Sequence, residues 1–427
     1  MIYYVVKKGD TLSSIARKYH VSVVTLIEDN QISNPDNLTV GQCLLIKHGK
    51  NIYIVEKGDN LGSIAIKNGI SINDILLANP NLNPPYTIIP GQVIYLVPSQ
   101  KNKSTIKVNG YVYNNTSLET IEKSLPYLTM LSIFSYRLKD DGHLIDNDEQ
   151  DIIDLAKKYK VAPIMVVTNT LEKGSFNSKL ASNILNNEQY QDNLINDIIQ
   201  TMNKKGYKGI NIDFEYIYPD DKDAYAKFIK KLASQVKEAG NYLVSLALAP
   251  KYSADQKGLL YESHDYKTLS KLVDYVIIMT YEWGYTFGPA MAVAPINLVD
   301  RVIKYAVSEI SPASILLGVP NYGYDFTLPY DKNVPAKSIA NVNAPSYAYS
   351  KKAEIQYDED SQTPYFSYYD ENKKRHIVYF EDARSIKSKC ALVDEFNLGG
   401  ISIWTIATYF NVMYEVISYY FNIEKII

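Results

Sequence analysis

The sequence predicts an α/β protein in which two small βααβ modules precede a TIM (β/α)8 barrel. Three observations in the 427 residues predict this architecture. The first hundred residues carry one pattern twice, and eight apolar segments beyond them alternate with stretches of helical periodicity. One of these apolar segments ends in two carboxylates, at the place where a parallel barrel gathers its functional groups.

The N-terminal repeat has a spacing of about 49 residues. Tyr4–Ala16 matches Tyr53–Ala65, and a Gly-Gln turn at Gly41 and Gly91 precedes each closing strand. A helical face is evident in the first copy, because apolar residues recur at i, i+3, i+4 and i+7, namely Leu12, Ile15, Ala16 and Tyr19. We therefore predict modules over residues 2–47 and 51–98, followed by a polar linker at 99–104.

The region 105–427 predicts the barrel. Helical periodicity in Asp148–Tyr159, Gln191–Lys205 and Asp223–Ala239 separates buried-looking strands. The surplus length between strands seven and eight, about residues 322–378, predicts an insertion. The eight predicted strands are Lys107–Tyr113, Met130–Ser135, Ala162–Thr168, Gly209–Glu215, Tyr242–Ala249, Tyr275–Thr280, Ser314–Val319 and Gly400–Thr405.

The fourth predicted strand carries the strongest chemical signal. Side chains alternate between the two faces of a strand, so Asn211, Asp213 and Glu215 share one face. Three stacked polar side chains in an apolar strand are costly to bury unless they line a working cavity. Two carboxylates at i and i+2 also shift each other's pKa, which allows one to stay protonated near neutral pH. We therefore predict that Asp213 and Glu215 are catalytic.

Residues from several strand ends should join these carboxylates, because the C-terminal ends of barrel strands meet at one face. The candidates are Tyr111, Ser135, Tyr136, Asn169, Tyr281, Glu282, Trp283, Asn321, Tyr322 and Trp404.

Composition argues against several classes of function. The net charge of −3 shows no excess of basic residues of the kind that binds nucleic acid. No apolar run reaches membrane-spanning length, and Met1–Lys7 does not resemble a secretory signal peptide. The five histidines are scattered without metal-ligand spacing, so neither a metal nor another cofactor is expected. Cys43 and Cys390 lie in separate predicted domains, which argues against a disulfide.

The N-terminal repeat resembles LysM modules, which bind glycans that contain N-acetylglucosamine. The resemblance rests on the Gly-Asp-Thr-Leu turn, a later asparagine and the Gly-Gln turn, which recur in order. It implies a sugar groove formed by Gly9, Asp10, Thr11 and Asn30 in the first copy and by Gly58, Asp59, Asn60 and Asn79 in the second. The alternative is that these residues only cap helices and shape turns.

The barrel resembles the family-18 glycoside hydrolases. Asp213 and Glu215 match the end of that family's DxxDxDxE signature, whereas Lys208 and Asn211 replace its first two acids. Met279–Glu282 resembles the MxYD motif, and Ser402–Trp404 resembles the strand that provides a sugar-stacking tryptophan. The family often carries a small α+β domain at the position of the predicted insertion.

The resemblance implies substrate-assisted retaining hydrolysis. Glu215 would act as acid and then as base, Asp213 would orient the substrate's acetamido group, and Tyr281 would hydrogen-bond the acetamido oxygen. Trp404 would stack beneath the sugar. The remaining mouth residues would contact substrate, and they are Asn211, Tyr111, Tyr136, Glu282, Trp283, Asn321 and Tyr322.

The segment Asn-Ile-Asp-Phe-Glu at 211–215 resembles the form of the family signature found in LysM-bearing spore cortex-lytic enzymes of the N-acetylglucosaminidase type. That resemblance implies cleavage of the β-1,4 bond after N-acetylglucosamine in cortex peptidoglycan, or in cortical fragments, during germination. It also implies deposition in the outer layers of the spore without a signal peptide. Two alternatives stay open: a chitinase or chitooligosaccharide hydrolase, and a non-catalytic glycan-binding coat protein.

Overall fold

The computed structural model describes residues 1–47, 51–79, 82, 84–96, 103–171 and 175–427. The chain divides into two compact units, residues 1–104 and 105–427. Most of the predicted linker at 99–104 lies outside the described residues, as do residues 97–98 at the end of the second predicted module and residues 48–50 between the two modules.

Each N-terminal module has the predicted order strand, helix, helix, strand. In both copies the two strands form an antiparallel pair, and the apolar faces of the helices close a small core against them. Thr11 and Asn60 cap the first helices, and Ser22 and Ser71 cap the second. The elements are β1 Ile2–Val5, α1 Leu12–Tyr19, α2 Val23–Asp29, β2 Cys43–Ile46, β3 Asn51–Ile54, α3 Leu61–Asn68, α4 Ile72–Ala78 and β4 Val93–Leu96.

The second unit is a closed parallel barrel, as the sequence predicted. Eight strands pair in the order β5-β6-β8-β9-β10-β11-β12-β18, and β18 returns to pair with β5. These strands are β5 Thr105–Tyr113, β6 Met130–Leu138, β8 Ala162–Thr168, β9 Gly209–Asp213, β10 Leu243–Leu248, β11 Tyr275–Ile278, β12 Ile315–Pro320 and β18 Gly400–Trp404. Two short strands extend the edges, β7 Leu144–Ile145 beside β6 and β19 Asn422–Ile423 beside β5.

Amphipathic helices cover the barrel. In α9, for example, six residues at helical spacing are buried while its lysines face outward, which is the pattern expected of a helix packed on a sheet. The helices of this layer are α5 Leu118–Ser124, α6 Gln150–Lys158, α7 Ser178–Leu185, α8 Glu188–Lys205, α9 Lys222–Ala239, α10 Tyr266–Leu269, α11 Ile296–Glu309, α13 Ala383–Glu395 and α14 Asn411–Tyr420.

The predicted insertion between the seventh and eighth barrel strands is an α+β domain. A five-stranded antiparallel sheet has the order β14-β13-β17-β16-β15, and one helix packs on it. Its elements are β13 Tyr322–Leu328, β14 Lys337–Ala340, α12 Ala344–Ser350, β15 Gln356–Asp358, β16 Thr363–Tyr369 and β17 Arg375–Tyr379. Strand β13 follows β12 after a single residue, so the insertion sheet begins directly at the C-terminal end of the barrel.

Candidate active site

An aromatic floor lies at the C-terminal ends of the barrel strands. The Trp404 ring is nearly parallel to the Tyr281 ring, at 17° with centroids 6.4 Å apart. Phe134 and Tyr111 meet Trp404 edge-on, at centroid distances of 4.8 and 5.2 Å. Gly318 makes room for this arrangement, because a Cβ added there would lie 2.9 Å from Cε1 of Tyr281. Four strand ends therefore converge on one apolar surface of the kind that sugar rings contact.

Asn211 lies beneath this floor and is held in one orientation. The Tyr111 hydroxyl donates to Oδ1 of Asn211 at 2.9 Å, and Nδ2 of Asn211 donates to Oγ of Ser245 at 3.0 Å. The Ser245 hydroxyl donates in turn to the Ile210 carbonyl. All of these side chains are buried. Asn211 is thus an internal hydrogen-bonding residue that joins strands β5, β9 and β10.

Asp213 and Glu215 form a pair of carboxyl groups that burial makes hard to ionise. Burial raises the pKa of Asp213. Burial also raises the pKa of Glu215 well above its usual range, and the charges of Asp213 and Glu282 raise it further. A charge on Asp213 therefore favours the protonated form of Glu215. Oδ1 of Asp213 is buried and has no hydrogen-bond partner among the described residues.

The backbone of Glu215 is held by a single side chain, that of Asn169, which directly follows β8. Oδ1 of Asn169 accepts from the Glu215 N–H at 2.9 Å, and Nδ2 donates to the Glu215 carbonyl at 2.9 Å. The next residue, Tyr216, has a φ of 55°, which is uncommon for a non-glycine residue. The turn that presents Glu215 is thus fixed by the amide of Asn169.

His264 holds the peptide that lies between the two carboxylates. Its Nδ1 accepts from the Ala249 N–H at 2.8 Å, so Nε2 carries the proton and donates to the Phe214 carbonyl at 3.0 Å. Burial lowers the pKa of His264 to about 4, which keeps the ring neutral and this tautomer in place. No metal-ligand or catalytic pattern in the sequence marks His264, because its contact with the Phe214 carbonyl depends on tertiary packing.

The insertion contributes one wall of a cleft beside Trp404. Hydroxyl groups of Tyr322 and Tyr324 both donate to Oε1 of Glu282. Although Glu282 keeps a solvent-exposed side, partial burial of its carboxylate raises its pKa, while the two tyrosine hydrogen bonds oppose that rise. The cleft has a volume of about 270 Å³, and Tyr113 also lines it. Tyr113 and Tyr324 were absent from the sequence-based candidates.

The prediction that Tyr136 contacts substrate is wrong. Ser132 faces the barrel interior, where its hydroxyl donates to Asn109, and simple alternation would place Tyr136 on that face too. The pairing of β6 with β8, however, shifts register between Ile133 and Tyr136. Such an irregularity re-aims the side chains that follow it. Tyr136 therefore points away from the mouth and donates to the buried carboxylate of Glu149.

Three other candidates have mainly structural contacts. Asn321 is buried in the cleft wall and donates to the carbonyls of Thr405 and Thr408, which ties β12 to the segment after β18. The backbone N–H of Trp283 donates to the Val293 carbonyl, and the side chain of Trp283 is half-buried. The hydroxyl groups of Ser135 and Thr168 lie within hydrogen-bonding distance, at 3.2 Å.

In the N-terminal modules, the predicted sugar-binding side chains make internal hydrogen bonds. Asp10 accepts from the Tyr4 hydroxyl and the Lys7 N–H, and Asp59 accepts from the Glu56 N–H. The other predicted side chains are also bound within their own modules. Thr11 and Asn60 cap helices. Asn30 hydrogen-bonds the backbone N–H and carbonyl of Leu45, and Asn79 hydrogen-bonds those of Tyr95. Gly9 and Gly58 have φ of 88° and 95°, which their turns require.

The described part of the chain contains no group of three or more His, Cys, Asp or Glu side chains placed to hold a metal ion. None of its helices combines the length and the apolar character needed to cross a lipid bilayer.

A closed parallel barrel whose mouth joins two hard-to-ionise carboxyl groups to a tryptophan floor defines a glycosidase-type site. Comparison with known proteins agrees. The model of glycosyl hydrolases family 18 matches residues 107–408, and the LysM domain model matches residues 4–47 and 53–97. The chain belongs to glycosyl hydrolases family 18 and carries two LysM domains.

Full-length relatives share this organisation. The chain is 40% identical to the cortical fragment-lytic enzyme of Bacillus subtilis (strain 168), with 100% of this chain and 99% of that protein covered. It is 38% identical to the cortical fragment-lytic enzyme of Bacillus anthracis, with 98% of each covered. The crystal structure of the Bacillus megaterium QM B1551 spore cortex-lytic enzyme SleL superposes with a TM-score of 0.89 at 37% identity, covering 100% of this chain and 99% of that one.

Proposed function

We propose that this protein cleaves the β-1,4 bond after N-acetylglucosamine in spore cortex peptidoglycan, or in fragments of it, during germination. The family membership supports glycoside hydrolysis, and the full-length relatives are named as cortical fragment-lytic enzymes. The proposed place of action is the spore cortex and its surrounding layers.

The observation that carries the chemistry is the buried, unpartnered Oδ1 of Asp213. A buried carboxylate oxygen without a donor costs about 1–3 kcal/mol, and beside Glu215 at the mouth of the barrel a bound substrate can provide that donor. The acetamido N–H of an N-acetylglucosamine bound over Trp404 has that chemistry. Asp213, once ionised, would orient this group and stabilise the positive charge that develops on it.

Glu215 supplies the proton. Its raised pKa keeps it protonated near neutral pH, so it donates to the glycosidic oxygen as the bond to the leaving sugar breaks. The acetamido oxygen, hydrogen-bonded by Tyr281, attacks the anomeric carbon and forms a cyclic oxazolinium intermediate. Glu215, now ionised, takes a proton from the water that opens this intermediate. Two inversions at the anomeric carbon retain its configuration, which is the substrate-assisted exception to the two-carboxylate scheme.

The LysM domains would bind the same glycan. Because the side chains of Asp10, Asn30 and their counterparts already bind within each module, the backbone groups of the turns at Gly9 and Gly58 are the sites that we propose for sugar contacts. Two weak sites on one chain gain avidity on a polymer.

Replacing Glu215 by Gln tests the proposal. This variant keeps the shape of the side chain but cannot donate a carboxylic proton, so turnover should fall by about 10²–10⁴-fold. Purified wild type, Glu215→Gln and the exposed control Glu119→Gln are incubated with cortex fragments, and new reducing ends are identified by mass spectrometry. Reducing N-acetylglucosamine ends from the wild type and control alone are expected. Near-normal turnover by Glu215→Gln would reject the assignment of the acid.

The same assay, run on chitin oligomers as well as on cortex fragments, separates the alternatives. Soluble fragments from chitin oligomers with intact cortex fragments would support a chitinase. No new ends from either substrate would support a glycan-binding protein without catalysis.

A further inference from the structure

The insertion contains a second cavity next to the cleft. This insertion pocket has a volume of about 450 Å³, which is within the usual range for small-ligand sites. It lies between strand β14 and helix α12. Ser338 of β14 lines both this pocket and the cleft beside Trp404. The two cavities are therefore neighbours that meet at the edge strand of the insertion sheet.

The pocket wall formed by α12 is polar. Asn343, Ser346, Tyr347 and Ser350 follow the i, i+3, i+4, i+7 spacing of a single helix face. The hydroxyl groups of Ser346 and Ser350 donate to carbonyls of their own chain, at 2.9 and 2.7 Å. Their oxygens keep lone pairs, so this wall offers acceptors to a ligand that carries N–H groups.

The opposite wall offers positive charge. Lys337 of β14 is exposed, and its ammonium group has no ion-pair partner among the described residues. A second lysine, Lys351, caps the end of α12 outside the pocket lining, and its Nζ lies 5.3 Å from the centroid of the Tyr347 ring. The one lining carboxylate, Asp325, is buried and already accepts from the Tyr347 and Tyr368 hydroxyls at 2.9 and 2.7 Å. The accessible charge of the pocket is thus cationic, and it suits a ligand carboxylate.

The position of the pocket relates it to one part of the proposed substrate. Trp404 would lie under the bound N-acetylglucosamine, and the cleft continues from Trp404 along the insertion residues Tyr322, Tyr324 and Ser338. Glu215, which would protonate the leaving oxygen, does not line this cleft. The insertion side of the cleft therefore suits the sugar that precedes the bound N-acetylglucosamine. In an alternating polymer, that sugar is a muramic acid residue, and its lactyl ether can carry a peptide stem. Three residues of extended chain span about 10 Å, enough to pass an edge strand.

We propose that the insertion pocket bounded by β14 and α12 binds the peptide stem of the muramic residue that occupies the cleft. The stem has the required chemistry, because its peptide N–H groups can donate hydrogen bonds to the serine oxygens and its carboxylates can pair with the ammonium group of Lys337. This inference rests on the proposed function and adds a specificity site to it. It predicts that the enzyme binds fragments with stems more tightly than the same fragments without them.

The test compares two forms of one substrate. Cortex fragments are used as isolated or after an amidase has removed their peptide stems. Lys337→Glu reverses the accessible charge, and Ser346→Trp fills the pocket without changing charge. The matched control is Lys332→Glu, an exposed lysine of the same insertion that does not line the pocket. Circular dichroism and thermal melting establish that each variant is folded.

We expect Lys337→Glu and Ser346→Trp each to raise KM roughly tenfold on fragments with stems, because one introduces repulsion and the other excludes the ligand. On stripped fragments their KM should equal that of the wild type, and Lys332→Glu should match the wild type on both. If Lys337→Glu and Ser346→Trp change KM equally on both substrates, or on neither, the inference is overturned while the proposed function stands. Failure of the wild type to cut either substrate would refute the proposed function, and this inference with it.

Discussion

The side chain of Asn169 allows a sharp test of how the barrel positions its acid. Asn169→Ala removes both hydrogen bonds to the backbone of Glu215 and leaves an N–H and a carbonyl without partners. Each unsatisfied group costs about 1–3 kcal/mol when buried, so the turn is expected to relax until both groups find other partners. The carboxyl group of Glu215 would move with it.

The magnitude follows from the geometry of proton transfer. A displacement of about 1 Å can cost about 10²-fold in rate, and each 1.36 kcal/mol of barrier is about tenfold. We therefore expect kcat to fall roughly 10- to 100-fold in Asn169→Ala while KM changes little, because the aromatic floor of Trp404 and Tyr281 is untouched. The assay measures the release of reducing N-acetylglucosamine ends from cortex fragments over a range of substrate concentrations.

A second variant separates positioning from general instability. Asn169→Asp can still accept from the Glu215 N–H, but it loses the donor to the carbonyl and adds a negative charge nearby. That charge should raise the pKa of Glu215 and move the alkaline limb of the rate profile to higher pH. Asn183→Ala, an exposed position on α7, is the control. A kcat within twofold of the wild type for Asn169→Ala, with unchanged thermal stability, would refute the reasoning.

Three further predictions concern charge. Glu282→Gln removes a charge that raises the pKa of Glu215, so the alkaline limb of kcat/KM should move to lower pH; an unchanged limb would contradict that coupling. Asn211→Asp places a like charge beside Asp213 and should move the acidic limb upward, whereas a large gain of activity on chitin oligomers would weaken the peptidoglycan assignment. The pKa of His264 is lowered from its usual 6.5 to about 4, so its stabilising contribution is present above pH 6.5 and lost as pH falls through 4. Denaturant midpoints should show that loss, on the order of 3 kcal/mol, in the wild type but not in His264→Asn.

The barrel was predictable because its strands are short apolar runs between helical stretches. Ala162–Thr168 was predicted to the residue, since every side chain in it is buried. The fourth strand was predicted two residues too long, because β9 ends at Asp213 and Glu215 lies on the turn that Asn169 holds. Propensity alone does not reveal where a side chain from a neighbouring strand takes over backbone hydrogen bonds.

The residues of the candidate site were predictable in strands whose side chains alternate regularly between the two faces, and not where that alternation is interrupted. Tyr113 and Tyr324 lie two residues beyond the candidates Tyr111 and Tyr322, so the period of a strand could have added both. Tyr136 was wrong because an irregularity in β6 reverses that period, and apolar sequence gives no sign of it. His264 acts through a neutral ring nitrogen and a backbone carbonyl, a contact that depends wholly on tertiary packing.

Hydrogen-bond satisfaction separates two kinds of polar residue in this protein. Asn30, Asn169 and Asn211 use both ends of their amides on other groups of the protein, which fixes the turns and strands around them. Asp213 differs, because one of its buried oxygens has no donor among the described residues. The unpaired oxygen therefore carries the cost of a buried acceptor without a donor in the free protein. We expect a substrate N–H that pairs with this oxygen to relieve the cost, which would favour an acetamido sugar at the proposed site.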